Sequence, residues 1–285
     1  MTIQEAYKKL LFQLHELYDN REAANIADMV IECITNQKKI DRIIHKTTPL
    51  NFQHQKQLEN FTNQLLQFKP VQYVLQEAWF DGMKFFVNDF VLIPRPETEE
   101  LIEWVTKEIK LNKINTILDI GTGSGCISIS LKKKNTNVII SALDISEDAL
   151  SVAKKNAANL DADINFISTD FLDESKWNEL SVFDMIVSNP PYIKQSEIET
   201  MRKVVIDFEP HIALFVDDDD PLLFYKKIAV FGKKHITVNG NIFVEINESL
   251  GKEVCLVFEK ENYTVELRND MHGKNRMIKA RKNFQ

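Results

Sequence analysis

Thr116-Ile117-Leu118-Asp119-Ile120-Gly121-Thr122-Gly123-Ser124-Gly125 decides how this chain must fold. The apolar run from Thr116 to Ile120 reads as a buried strand. The three closely spaced glycines turn the chain out of it, and Cys126-Ile127-Ser128-Ile129-Ser130-Leu131 begins a helix. Glycine lets the backbone reach positive φ and approach a ligand closely. The dinucleotide fingerprint G-x-G-x-x-G wants glycine or alanine at its last position. That position is Cys126, and the pattern here is G-x-G-x-G. Asp119, just before the turn, suits a cationic or amino-bearing ligand better than a pyrophosphate. The competing reading is a tight strand-to-helix turn with no ligand.

Three further strand ends carry polar groups. Val138 to Leu143 ends in Asp144, placed to accept hydrogen bonds from ribose hydroxyls. Asp144 could instead cap the following helix, with Ser146 competing for that place. Ile164 to Ser168 leads to Asp170-Phe171, a carboxylate and a ring that can face a nucleobase. Phe183 to Val187 leads to Asn189-Pro190-Pro191-Tyr192. This loop offers a side-chain amide oxygen, a backbone carbonyl held by two prolines, and an aromatic ring. It contains no Ser, Cys, His or Lys to serve as a nucleophile. A pair of acceptors beside a flat apolar surface suits a planar –NH2 group; a rigid turn is the plainer alternative. In an open α/β sheet, ligands bind at the C-terminal strand ends, so these groups in sequence converge on one site.

Outward from this block, strands and helices alternate, which predicts a parallel sheet covered on both faces. Helices are expected over Glu97 to Lys110, Glu147 to Leu160, Pro221 to Phe231 and Gly251 to Glu259, with a strand over Asn241 to Ile246. Tyr263 to Leu267 and Arg276 to Ala280 read as an antiparallel hairpin turning near Gly273. Before the block the period is helical. Thr2-Ile3-Gln4-Glu5 is a capping box. Ile3, Ala6, Leu10, Leu14 and Leu17 share a face, Asp19-Asn20 breaks that helix, and Ala23, Ile26, Ala27, Val30 and Ile34 form the next stripe. A short helix over Ile40 to Ile44 and another through Phe52, Leu58, Phe61 and Leu65 complete a small bundle. Trp79 to Val87 and Phe90 to Ile93 read as a β-hairpin turning at Asn88-Asp89. The expected organisation is a helical domain over residues 1–75, a linker and hairpin over 76–93, and an α/β domain over 94–285.

The length of 285 residues suits two unequal domains, and the net charge of −7 weighs against a nucleic-acid substrate. Cys33, Cys126 and Cys255 lack C-x-x-C spacing and read as reduced thiols of a cytoplasmic protein. Cys126 beside the turn reads as a small packing residue. No signal-peptide layout and no bilayer-length apolar run is present in the sequence. Asp217-Asp218-Asp219-Asp220 lacks the spaced glycine and closing glutamate of a calcium loop and reads as solvated. The scattered histidines predict no metal site.

The order Asp-x-Gly-x-Gly-x-Gly, acidic strand end, Asp-Phe and Asn-Pro-Pro-Tyr resembles class I S-adenosylmethionine-dependent methyltransferases that act on planar amino groups. Leu92-Ile93-Pro94-Arg95-Pro96-Glu97-Thr98-Glu99, Phe208-Glu209-Pro210 and Asp270-x-x-Gly273-x-x-Arg276 narrow the likeness to the protein-(glutamine-N5) methyltransferases of the HemK/PrmC family. The resemblance spans essentially the whole chain. It implies a Rossmann-like, mostly parallel sheet with a reversed strand, behind an all-α bundle that docks the substrate. It implies S-adenosyl-L-methionine as methyl donor, S-adenosyl-L-homocysteine as product, and the glutamine of the Gly-Gly-Gln motif in peptide chain release factors as acceptor. Thr98, Asp119, Gly121, Thr122, Gly123, Ser124, Gly125, Asp144, Asp170, Phe171 and Asn189 would serve the cofactor. Asn189, Pro190, Pro191 and Tyr192 would hold the substrate, with Asn189, Pro190 and Tyr192 catalytic. Asn-Pro-Pro-Tyr is shared with enzymes that methylate the adenine amino group of DNA or RNA, the alternative reading. The chain departs from the family pattern at Gln76 and Asn247, where glycine is usual.

Overall fold

The computed structural model describes residues 1–201 and 203–283. The chain divides into two compact units, Met1–Glu77 and Ala78–Gln285. The first holds helices α1 (Ile3–Leu14), α2 (Asn20–Thr35), α3 (Lys39–Ile44), α4 (Phe52–Leu65) and α5 (Val71–Leu75). Thr2 caps α1, accepting from the Glu5 amide while the Glu5 carboxylate accepts from the Thr2 amide at 2.8 Å. Asp19 caps α2 through the amides of Arg21 and Glu22. Caps of this kind contribute about 1 kcal/mol each. The stripes Ile3, Ala6, Leu10, Leu14 and Ala23, Ile26, Ala27, Val30, Ile34 are buried in one core with Leu58, Phe61 and Leu65. Short α3 turns Ile40, Ile43 and Ile44 outward and buries Arg42, which pairs with Asp28 at 3.1 Å.

A two-stranded sheet follows, β1 (Glu77–Phe80) and β2 (Met83–Phe86). The hairpin turns at Asp81-Gly82, not at the expected Asn88-Asp89. Asp81 and Gly82 both have positive φ (50° and 72°), as the turn that matches strand twist requires. Asn88 instead bends the chain by accepting from the Phe90 amide at 3.2 Å, and Phe90 to Ile93 is irregular rather than a strand. Elements α6 (Pro96–Leu111), β3 (Thr116–Ile120), α7 (Cys126–Lys134), β4 (Ile139–Asp144), α8 (Glu147–Asn159), β5 (Asn165–Ser168) and β6 (Phe183–Ser188) follow. Then come β7 (Ile193–Lys194), α9 (Lys203–Phe208), β8 (Phe215–Val216), α10 (Leu223–His235), β9 (Ile236–Glu245), α11 (Gly251–Lys260), β10 (Tyr263–Asn269) and β11 (Asn275–Lys282).

The main sheet has seven strands in the order β10-β11-β9-β6-β3-β4-β5. β6, β3, β4, β5 and β9 run parallel, and β11 is antiparallel to both β9 and β10. The strand order therefore reverses between β3 and β6, leaving a crevice at their C-terminal ends. One apolar face packs Leu101, Ile102 and Val105 of α6 with Ile129 and Leu131 of α7; the other packs Tyr225, Ile228 and Phe231 of α10 with Val254 and Phe258 of α11. The β3–β6 seam is closed at the top by the Ser188 hydroxyl donating to the Ile120 carbonyl at 2.7 Å, and at the bottom by the Asp184 carboxylate accepting from the Asn115 and Thr116 amides. Among the described residues no helix is long and apolar enough to cross a membrane.

Candidate active site

A cavity opens at the crevice. Its wall takes Thr98 from α6, Gly121 to Ser124 from the turn after β3, Asp144 from β4, Asp170 and Phe171 after β5, and Asn189 to Pro191 after β6. Phe90, Leu92 and Arg95 from the segment before α6, and Ile212, Ala213 and Phe224, complete it.

The glycine turn is held from behind and from the side. Gly121 and Thr122 donate their amides to the Leu143 carbonyl at 2.9 and 3.0 Å, so the turn is pinned to the end of β4. Gly121 and Gly123 adopt positive φ (73° and 52°), and a Cβ on either would meet nothing within 4 Å. Their backbone is thus open on one side. Gly125 differs: a Cβ there would lie 2.9 Å from Ile129 Cδ1 and 3.2 Å from Ala153 Cβ, so this glycine lets α7 pack on α8. It is absent from the cavity wall, as is Asp119. Asp119 is fully buried behind the turn and accepts from the Thr122 hydroxyl at 2.7 Å. Burial pushes Asp119 up to about 7, against the pull of the Thr122 hydroxyl and the Ser128 amide and hydroxyl. Cys126 lines the wall, with its thiol pushed up to about 12 by burial; at neutral pH it is no nucleophile.

Asp144 does not cap α8; Ser146 does, accepting from the Ala149 amide at 3.1 Å. Asp144 is left to accept from the Gly123 amide at 2.9 Å and the Ser146 amide at 3.0 Å, one on each oxygen. Further lone pairs on both oxygens remain for a diol. Its burial raises the pKa above the ordinary aspartate value. Asp170 is exposed and bonds the Leu172 amide at 2.9 Å. The Phe171 ring is buried, stacked on Trp177 at 5.6 Å and edge-on to Phe231 at 5.4 Å, so it meets the cavity as part of a fixed aromatic cluster.

Asn189 donates from Nδ2 to the Thr98 hydroxyl at 3.4 Å, and Thr98 in turn donates to Glu245 Oε2 at 2.6 Å. The Tyr192 hydroxyl donates to Glu245 Oε1 at 3.4 Å. Tyr192 packs against the core and does not line the cavity. Glu245 lies at the C-terminal end of β9, where the register Ser188↔Val244 sets it beside Asn189. It is 1% exposed and pushed up to about 7 by burial. The sequence analysis gives no site role to Glu245, the carboxylate that ends an otherwise apolar strand, nor to Arg95, which lines the cavity and pairs with buried Glu209 at 2.7 Å. That ion pair joins two of the motifs that carried the resemblance, Leu92 to Glu99 and Phe208-Glu209-Pro210. Among the described residues no group of three or more His, Cys, Asp or Glu stands close enough together to hold a metal ion.

A seven-stranded sheet with one reversed strand, a glycine turn on its first strand and an Asn-Pro-Pro-Tyr loop across the crevice define a class I S-adenosylmethionine-dependent methyltransferase. A methyltransferase from Pyrococcus furiosus shares the fold, with a TM-score of 0.52 and 15% identity over 79% of this chain and 100% of that one. The model of the methyltransferase small domain matches residues 98–208, and that of the PrmC N-terminal domain matches residues 5–75. The release factor glutamine methyltransferase of Flavobacterium psychrophilum is 41% identical over 98% of this chain and 99% of its own. That of Bacteroides thetaiotaomicron is 38% identical over 94% and 95%. The chain belongs to the release factor glutamine methyltransferase family.

Proposed function

We propose that this protein transfers a methyl group from S-adenosyl-L-methionine to the side-chain amide nitrogen of the glutamine in the Gly-Gly-Gln motif of peptide chain release factors, leaving S-adenosyl-L-homocysteine. The observation that carries the reading is the Asn189-Pro190-Pro191 loop on the same cavity wall as the glycine turn and Asp144. The donor supplies an already electrophilic methyl on a sulfonium, so the protein's task is position and electrostatics.

The residues present fit that donor. The open backbone of Gly121 and Gly123, with Thr122 and Ser124, would lie under its methionine–ribose portion, and Asp144 has lone pairs left for the ribose diol. Phe171 would flank the base with Asp170 at its rim. Asp119 and Gly125 act from behind the turn, Asp119 by holding Thr122 and Gly125 by admitting α8.

A carboxamide nitrogen is a weak nucleophile because its lone pair is delocalised into the carbonyl. Asn189 Oδ1 and the Pro190 carbonyl would each accept one N–H of the substrate amide, fixing the nitrogen and stabilising the positive charge that develops on it. Pro190 and Pro191 stiffen the loop, and Tyr192 anchors it to Glu245. No strong base is needed, because an N-alkylated, protonated amide loses its proton to water readily. Near-attack alignment supplies much of the acceleration.

Residues 1–75 serve as the docking domain for the protein substrate, 76–93 as linker and 94–285 as transfer domain, in the cytoplasm. The match of residues 5–75 to the PrmC N-terminal domain and the exposed rings of Phe12 and Phe52 support this. The test is mass spectrometry of a release factor after incubation with enzyme and donor. One added methyl on the Gly-Gly-Gln glutamine is expected. An unmodified glutamine beside methylated duplex DNA or ribosomal RNA would overturn the reading in favour of the adenine alternative.

A further inference from the structure

Thr98 and Glu245 form a directional chain that ends on the side-chain amide at the reacting centre. An ionised carboxylate has only acceptors. Glu245 Oε2 sits 2.6 Å from Thr98 Oγ1, so the Thr98 hydroxyl proton is committed to it. Thr98 Oγ1 then has only lone pairs to offer its other neighbour. That neighbour is the Asn189 amide at 3.4 Å, which must therefore present Nδ2. The opposite end, Oδ1, is left to accept. The second oxygen of Glu245, Oε1, takes the Tyr192 hydroxyl at 3.4 Å. Tyr192 follows Asn189 in the same loop, so one carboxylate holds the loop at both ends.

We propose that Glu245 is a positioning residue for methyl transfer: acting through the Thr98 hydroxyl, it fixes which end of the Asn189 amide faces the substrate. This rests on the function proposed above. With Glu245 in place, Asn189 offers an acceptor to the substrate N–H. With a group at position 245 that can donate, the Thr98 proton is released, turns to Asn189 Oδ1, and the amide flips to offer N–H against N–H. The substrate nitrogen is then repelled rather than held. The inference also gives a role to Asp270-x-x-Gly273-x-x-Arg276. Arg276 bonds Asp270 through Nε at 3.1 Å, its carbonyl accepts from the Ile246 amide at 2.9 Å, and its positive charge favours the ionised form of Glu245.

Glu245→Gln keeps the shape and adds a donor. Relative to wild type, its kcat on release factor should fall about 100-fold, with donor Kd within about threefold, the signature of lost alignment rather than lost binding. Thr98→Val should fall comparably, and Thr98→Ser, which keeps the hydroxyl, should regain at least about tenfold of that loss. Because the residues act as one chain, the double variant Glu245→Gln/Thr98→Val should be no more than about threefold worse than the poorer single variant. The side-chain amide resonances of Asn189, assigned by their loss in Asn189→Asp, should shift in Glu245→Gln in the absence of any substrate. Wild-type kcat retained in Glu245→Gln, losses that multiply in the double variant, Thr98→Ser as poor as Thr98→Val, or unmoved Asn189 resonances would each overturn the inference. Failure of the wild-type enzyme to methylate release factor would overturn the functional reading instead, and the resonance measurement would still decide the Glu245 role.

Discussion

Asn189 and Asp144 stand at the ends of β6 and β4, on either side of β3, in the wall of one cavity, and their chemistry separates them. Asn189 is placed to touch the acceptor and Asp144 the donor. Asn189→Ala should bind S-adenosylmethionine with at most about threefold loss, while turnover falls by about three orders of magnitude, as when a transition-state contact is removed without ground-state binding. Calorimetric titration and a methylation assay on the same preparation check this. Asp144→Ala should do the reverse first. It removes the ribose acceptor and the Gly123 tether together, so donor affinity should drop at least about tenfold, the worth of one charge-assisted hydrogen bond. Unchanged affinity would remove the ribose assignment. At this scale the sequence exposed the residues that end strands in polar side chains. It hid those whose role is made by neighbours. Glu245 looks like any acid after an apolar run, and only the β6–β9 register sets it beside Asn189. Tyr192 looked like a ring for the substrate to pack on; the structure turns its hydroxyl to Glu245 and its body to the core.

The strands and helices were legible where periodicity and turn chemistry agreed. β3 runs from Thr116 to Ile120 as its apolar run predicts, and α7 starts at Cys126 directly after the glycines. The first hairpin turns earlier than expected: Asp81-Gly82, inside the stretch read as one strand, adopts positive φ and makes the turn, and Asn88-Asp89 only bends the chain. β9 begins at Ile236, well before Asn241, because the sheet carries the strand through Asn239-Gly240 with a register shift against β6. α10 starts at Leu223 rather than Pro221, since the turn from Asp217 to Asp220 extends through the proline. The glycine turn itself has two kinds of glycine, which sequence spacing cannot tell apart. Gly125→Ala places a methyl 2.9 Å from Ile129 and 3.2 Å from Ala153 at φ 79°, between α7 and α8. It should cost about 2–4 kcal/mol through strain and overpacking combined. Urea denaturation should show this as a lower midpoint with an unchanged slope. A midpoint equal to wild type would mean that the α7–α8 contact is looser than described.

At the scale of the whole molecule, two buried carboxylates set stability and activity against each other. Burial raises Asp119 from 3.8 and Glu245 from 4.5, both to about 7. Between the ordinary value and the raised one, the folded chain holds a proton that the unfolded chain has released. Each group therefore stabilises the fold fully below its ordinary value, and that stability is lost as pH rises through about 7. From pH 6 to pH 8 each forfeits about 1 kcal/mol, which lowers the unfolding midpoint by about 2–4 °C per group in a chain of this size. Activity should run the other way. The directional role of Glu245 needs its ionised form, and Arg276 favours that form while burial and the charge of Glu97 oppose it. Tyr192 faces Glu245 from the loop after β6 and Thr98 from α6, each donating to it, and Tyr225 of α10 donates to its backbone carbonyl. None of these hydroxyls loses its proton near neutrality, so the switch belongs to the carboxylates. Scanning calorimetry and single-turnover methylation, both at pH 6 and pH 8, should show a protein that is more stable and slower at the lower pH. Asp119→Asn should shrink the stability difference and leave the direction of the rate difference intact. Glu245→Gln should shrink both, because it replaces the titrating carboxyl with an amide that cannot ionise. Rates equal at the two pH values in wild type would mean that Glu245 stays ionised throughout, held by Arg276 more strongly than burial opposes it.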